Sequence, residues 1–165
     1  MSVADDTPHR PRGARTSSWR VGLTAMAIVS GWLIPGLGHI VLGRVRRGIF
    51  FATLVLGSFA LGMAHDGRLA LRDDRQAPIL SALQVVANAG VGVADLLARA
   101  RVYGVATYSL PRDPAEREYG TRLTILRDRT KSIASIYGTA YLWAAGLMNL
   151  LLLFDLWDIG RGRND

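Results

Sequence analysis

The sequence predicts an all-α membrane protein, and three observations carry that prediction. Residues 21–42 hold no Asp, Glu, Lys or Arg over 22 positions. Further apolar runs fill 48–64 and most of 133–157. About 20 apolar residues cross the hydrocarbon layer as a helix, so runs of this length are read as membrane-crossing segments. The third observation is where the charge sits. Net charge is +7, nineteen of the twenty basic residues are Arg, and these arginines flank the apolar runs. That distribution fits anionic lipid headgroups and orientation signals. It does not suggest nucleic acid as a partner, because no basic-aromatic recognition motif accompanies it. The 165 residues suffice for one domain, and the absence of cysteine excludes disulfides, Cys-ligated zinc and thiol catalysis.

Residues 1–18 are polar and contain Pro8, Pro11 and Gly13, which predicts a disordered basic tail. No A-x-A-like site follows the first apolar stretch, so it is expected to be retained rather than cleaved as a signal peptide. The first span is expected over 19–34, with Trp19 and Arg20 at the interface. Pro35 and Gly36 end it, because Pro lacks the N–H that a continuing helix needs. A turn through Gly38, His39 and Gly43 leads to Arg44, Arg46 and Arg47, which are expected to contact headgroups. The second span is Val45–Ala64. Its small-residue pairs, Gly48 with Ala52 and Ser58 with Gly62, suit close helix approach. Residues 19–64 thus form a predicted transmembrane hairpin.

Residues 65–76 read as a polar loop. Residues 78–98 are apolar by count but place Ser81, Gln84, Asn88, Asp95 and Arg99 on one helical face. Such a stripe suits a helix lying in the interface, or a span whose polar face lines a path through a bundle. Asp113-Pro114-Ala115-Glu116 is a helix-start signal. An amphipathic surface helix follows, with Tyr119, Leu123, Leu126 and Ile133 on its apolar stripe. The last span is expected over 133–157, with Gly138 and Asn149 on one face, and 158–165 is a short tail. Asn149 lies deep in an apolar run and needs a hydrogen-bonding neighbour.

Orientation follows from counting basic residues, which favour the cytoplasmic side. If 78–98 rests on the cytoplasmic surface, fifteen basic residues fall inside and five outside. This predicts three spans with the N-terminus cytoplasmic. Four spans divide the charges nearly evenly. A re-entrant first segment with a spanning 78–98 again gives fifteen to five.

No catalytic, metal or cofactor site is expected. His39 reads as a turn residue bonding backbone groups. His39 and His65 are too far apart along the helices to share a metal. Asp95 and Asp155 lie near segment ends, where water satisfies them, and so do not read as an acid-base pair. Pro35-Gly36-Leu37-Gly38 lacks the Gly-Lys-Ser/Thr ending of a phosphate loop.

The stretch Trp32-Leu-Ile-Pro-Gly-Leu-Gly-His-Ile-Val-Leu-Gly-Arg-Val-Arg-Arg-Gly48 resembles the hairpin of two-transmembrane-helix domain proteins. The later stretch, Tyr137-Gly-Thr-Ala-Tyr-Leu-Trp-Ala-Ala-Gly-Leu-Met-Asn-Leu-Leu-Leu-Leu-Phe-Asp155, resembles the end of one uncharacterised bacterial family that joins this hairpin to a later span. The chain lacks the Asp-Arg-Phe turn of the wider hairpin class. The resemblance implies an integral protein of a bacterial cytoplasmic (inner) membrane, with no activity to carry over. The expected role is that of a non-enzymatic scaffold or accessory subunit, associating with itself or another membrane protein through small-residue helix faces and a basic surface. The alternative is a small-solute or lipid-handling protein that uses Gln84, Asn88 and Asp95 as a polar path.

Overall fold

The structure, a computed structural model, describes residues 13–73, 78–113 and 115–161. Most of the expected tails, 1–12 and 162–165, lie outside the described residues. The described part is helical: α1 (Gly13–Leu33), α2 (Leu37–Val41), α3 (Val45–Ala64), α4 (Pro78–Ala89), α5 (Val93–Tyr103), α6 (Arg117–Arg129) and α7 (Ala134–Gly160). Extended pairing among the described residues is one parallel bridge, Arg72 with Ser109.

α7 is the axis, about 40 Å long at 1.5 Å per residue for its 27 residues. α1, α3 and α4 all pack along it. Its N-terminal part meets the end of α3, where Gly138 abuts Gly62, Gly67 and the His65 carbonyl. Its C-terminal part meets α2 through Leu156 and Gly38, while Gly48 at the start of α3 abuts Ile40. α1 reaches the same end, with Thr24 against Gly160 and Gly31 against Leu156. So α1 and α3 run in the same direction, both antiparallel to α7. This corrects the expected path of 19–64, although the all-α class stands. The segment is not a simple hairpin of two crossing helices: α1 goes in, α2 returns, and only α3 runs the length of α7.

Local chemistry explains the return. Pro35 cannot donate to the helix ladder, and Gly36 takes a left-handed backbone, φ 84°. Leu37 N–H then bonds the Ile34 carbonyl at 3.1 Å, closing the turn, and Gly36 passes against the Gly48 backbone. The continuous apolar helix before the turn, residues 21–33, is about 20 Å long, well short of the ~30 Å hydrocarbon thickness.

A second segment mirrors the first from the opposite end. α4 starts beside the loop after α3, where the Asp73 N–H donates to Ser81 Oγ at 3.1 Å. It runs parallel to α7 until Ala87 and Gly90 meet Gly146. The chain then bends by 113° at residues 90–92. α5 leads back to the same loop, where the Tyr103 hydroxyl donates to the Leu69 carbonyl at 2.8 Å. Residues 78–98 therefore neither lie flat nor form one straight crossing helix. The reason is Gly90-Val91-Gly92, which interrupts the expected stripe.

α3 and α7 are long and apolar enough to cross a membrane, and the bent α4–α5 pair meets the same test only if taken as one span. Arg20 and the Arg44, Arg46 and Arg47 turn lie at one end of α7. The expected three-span path would separate them.

The other end carries a cap. Residues 67–73 and 105–111 run side by side, joined by Arg72 N–H to the Tyr108 carbonyl at 2.7 Å and Leu110 N–H to the Arg72 carbonyl at 3.2 Å. Leu69, Ala70 and Leu71 are buried there, inside the stretch expected to be a polar loop. α6 covers α5 and buries Leu126. Asp113 does bond the Ala115 N–H, at 2.9 Å, but the helix begins at Arg117 and stops at Arg129, so it does not run into the last span. α7 continues to Gly160, past the expected end at 157.

Candidate functional site: the junction of two interrupted segments

The tips of the two returning segments meet at the midpoint of α7. Asn149 holds them together. Its Nδ2 donates to the Gly31 carbonyl at 3.2 Å and to the Gly90 carbonyl at 2.8 Å. Both acceptors sit where helices end and carbonyls lose their intrahelical partners. Trp32 adds a second clasp, its Nε1 donating to the Ala89 carbonyl at 3.2 Å. Gly92, at φ 71°, passes so close to the Trp32 and Leu33 carbonyls that a Cβ would strike them. Bonds such as those of Asn149 contribute about 0.6–2 kcal/mol each where water is scarce.

The junction is polar and incompletely paired. Asn149 and Asn88 are fully buried. Asn149 Oδ1 and both amide atoms of Asn88 have no partner among the described residues. Buried amides without partners each cost about 1–3 kcal/mol, so such groups call for an occupant or a role. Gln84 lies half-buried on α4, one turn before Asn88. Asp95 does not join them, because the bend carries it onto the returning arm.

A second polar pair joins the ends of the two recognisable motifs. His39 is 1 % exposed, and its Nε2 meets Asp155 Oδ2 at 3.0 Å. Its ring also packs on Phe51, centroids 5.1 Å apart. His39 therefore does more than bond a turn backbone, and Asp155 is not left to water. The pair ties α2 to α7 across 116 positions of sequence. Asp155→Leu should lower stability by about 1–3 kcal/mol, since hydrogen bonds with a charged partner are worth more than neutral ones but Asp155 is partly solvated. Asp155→Asn, which keeps an acceptor, should cost less. Thermal unfolding of both variants in detergent checks the order.

A third polar cluster sits under the cap. Asp95 and Arg99 are both fully buried, one helical turn apart, with Nε to Oδ2 at 2.8 Å. Arg99 Nη1 also donates to the Ala70 carbonyl at 2.8 Å and the Thr107 carbonyl at 3.0 Å. Its guanidinium lies 4.2 Å from the Tyr108 ring centroid. The sequence stripe contained both residues, but Asp95 is an ion-pair partner here, not a water-satisfied end residue. Burial, and after it the Asp95 charge, push the Tyr108 hydroxyl up to about 12. Because the folded value lies above the ordinary 10, the neutral phenol's contribution to stability is complete below pH ~10 and is lost between ~10 and ~12. The phenolate absorbance difference between the parent protein and Tyr108→Phe should therefore rise at about pH 12.

The remaining sites expected from sequence fall elsewhere. Gly36, Gly38 and Gly48 line the α1–α2–α3 return beside buried Pro35, and Gly138 seats the end of α3 on α7. Gly43, at φ 78°, closes the exposed turn. Arg46 and Arg47 are exposed there, and Arg44 precedes α3 as its cap residue. The small residues Gly48, Gly62, Gly138 and Gly146 all make contacts within the chain. Sequence reasoning missed the His39–Asp155 pair, for which the available signal was two isolated titratable groups in apolar surroundings. It also read through Gly90-Val91-Gly92, a double-glycine interruption.

No curated protein and no solved structure is significantly similar to this chain. A family profile matches residues 26–164, a range that takes in the proline-glycine return, the Asn149 junction, the His39–Asp155 pair and the Asp95–Arg99 cluster. An all-helical membrane protein built on these features, the chain belongs to a family of unknown function, DUF6677.

Proposed function

We propose that the chain is a non-enzymatic membrane protein that handles a small ion or polar solute at the Asn149 junction. One observation carries this reading: two interrupted helical segments enter from opposite ends of α7 and meet at its midpoint, where Asn149 Oδ1 and the buried Asn88 amide have no partner among the described residues. Non-helical backbone at membrane depth is tolerated where protein buries it or where it lines a path for polar cargo. Broken helices that meet near the midplane are the usual framework of such paths. Buried polar groups at that depth are functional by default. Asn149 and Asn88 are the binding groups in this reading, and Gln84 lies on the approach from the cap end.

The accessory-subunit reading keeps only part of its support. It rested on small-residue faces and a basic surface; Gly48, Gly62, Gly138 and Gly146 meet neighbours within the chain, which leaves the basic surface as its support.

The test is flux in reconstituted vesicles. Thallium influx, proton leak, and glycerol- and urea-driven swelling should include at least one probe that moves faster than in protein-free vesicles. Asn88→Leu should reduce that rate by about tenfold, the effect of losing roughly one hydrogen bond to cargo, and Asn149→Leu by more, since it also removes the two bonds that hold the tips together. Rates equal to protein-free vesicles for all four probes would reject this reading and favour the accessory subunit.

A further inference from the structure

We infer that a groove between the start of α1 and the end of α7 is a binding site for the phosphate headgroup of an anionic phospholipid. The groove has a volume of about 370 Å³ and is lined by Arg20, Thr24, Trp157, Gly160 and Arg161 among others. Its construction starts from packing. Gly160 lies so close to Thr24 that a Cβ would overlap the threonine side chain. This close crossing of two antiparallel helices sets Arg20 and Arg161, from opposite ends of the chain, on one rim.

Among the described residues the charge in the groove has no counter-charge. Neither Arg20 nor Arg161 has an ion-pair partner among the described residues, and no carboxylate lines the groove. Arg161 is held in place, its guanidinium 4.6 Å from the Trp157 ring centroid. The Thr24 hydroxyl is already used, donating to the Arg20 carbonyl at 2.8 Å. That leaves two guanidinium forks as the recognition elements, the geometry that suits phosphate oxygens in bidentate contact.

The surroundings select a lipid over a free anion. Trp157 lines the groove and is exposed, and Trp19 is exposed at the same end of α1, as expected of indoles at a headgroup layer. Val21 and Ala25 line the groove itself, and exposed Phe154 lies one helical turn before Trp157 on α7, which offers apolar surface for acyl chains. A phosphate held between the arginines would thus have its lipid tails directed along apolar surface. This site is separate from the exposed Arg46 and Arg47 turn, and it holds whether or not the Asn149 junction conducts.

The experiment uses the full chain in mild detergent, with retained lipid counted by native mass spectrometry. Phosphatidylglycerol should be retained and phosphatidylcholine should not. Arg20→Gln with Arg161→Gln should weaken phosphatidylglycerol retention by about tenfold or more, because two charge-assisted contacts are lost. Arg20→Lys with Arg161→Lys should fall between, and Arg46→Gln with Arg47→Gln should change retention by less than about twofold, since exposed charges contribute little. Unchanged retention in the glutamine variant would overturn the site. So would equal loss in the Arg46/Arg47 variant, which would mean general charge attraction. Inorganic phosphate displacing the lipid at equal concentration would also overturn it, in favour of a free-anion site.

Discussion

Asp95→Leu is expected to be the most damaging single substitution in the chain, costing about 3–5 kcal/mol. Asp95 and Arg99 have no solvent exposure, so removing the carboxylate leaves a buried guanidinium without its counter-charge. Arg99 cannot retreat to water, because Nη1 is fixed to the Ala70 and Thr107 carbonyls and the guanidinium is packed on Tyr108. The double variant Asp95→Leu with Arg99→Leu should be less damaged than Asp95→Leu alone, since buried pairs replaced together by apolar groups can be nearly neutral. Recovery should stop short of complete, because two carbonyls lose their donor and each orphaned group costs about 1–3 kcal/mol. Denaturant unfolding in detergent of both single variants and the double variant gives the coupling. Additive losses would show that the pair does not organise the cap.

Gly146→Ala should cost about 1–3 kcal/mol, while Gly57→Ala should be neutral or stabilising. Alanine gains about 1 kcal/mol over glycine from helix propensity alone, so the difference isolates contact. At Gly146 an added Cβ would collide with the Ala87 carbonyl, a backbone atom that no rotamer can move aside. The collision drives α4 away from α7 and strains the Asn149 bond to the Gly90 carbonyl, whose loss adds about 0.6–2 kcal/mol. At Gly57 a Cβ meets nothing within 4 Å. Equal effects at the two positions would mean that the junction is not packed as described. Gly146→Ala should also lower any measured flux, since it displaces one of the two tips.

The class of fold was legible because it depends on run length. Val45–Ala64 and the last apolar stretch announce themselves by composition, and Pro35-Gly36 announces a break. What the break does was not legible. Whether α1 crosses or turns back depends on where α7, a hundred residues later, offers Leu156 and Asn149. The same holds for Gly90-Val91-Gly92. A double glycine permits a bend, but the 113° angle comes from contacts with Gly146 and the Trp32 and Leu33 carbonyls. Asn149 could be read as needing a partner, because an amide in an apolar run must find one, but the identity of its acceptors could not. They are backbone carbonyls of Gly31 and Gly90, which carry no side-chain signal. Leu69-Ala70-Leu71 is a short apolar triplet between charges, too short for periodicity to mark as core. Asp95 and Arg99 stand at i and i+4, a spacing that suits an ion pair as well as a polar stripe. Burial decided between the two.

One labelling experiment tests the path of the chain. The chain has no cysteine, so single cysteines can be introduced without background. Suitable exposed positions are Trp19→Cys, Arg46→Cys, Asp66→Cys and Arg101→Cys, each probed in intact cells with a membrane-impermeant maleimide. Two segments returning from opposite ends of α7 place 19 and 46 on one side of the membrane and 66 and 101 on the other. Positions 19 and 46 should label together, with 66 and 101 showing the opposite accessibility. Labelling of 19 and 46 from opposite sides would contradict it, because α1 would then cross the membrane and the Asn149 junction could not form.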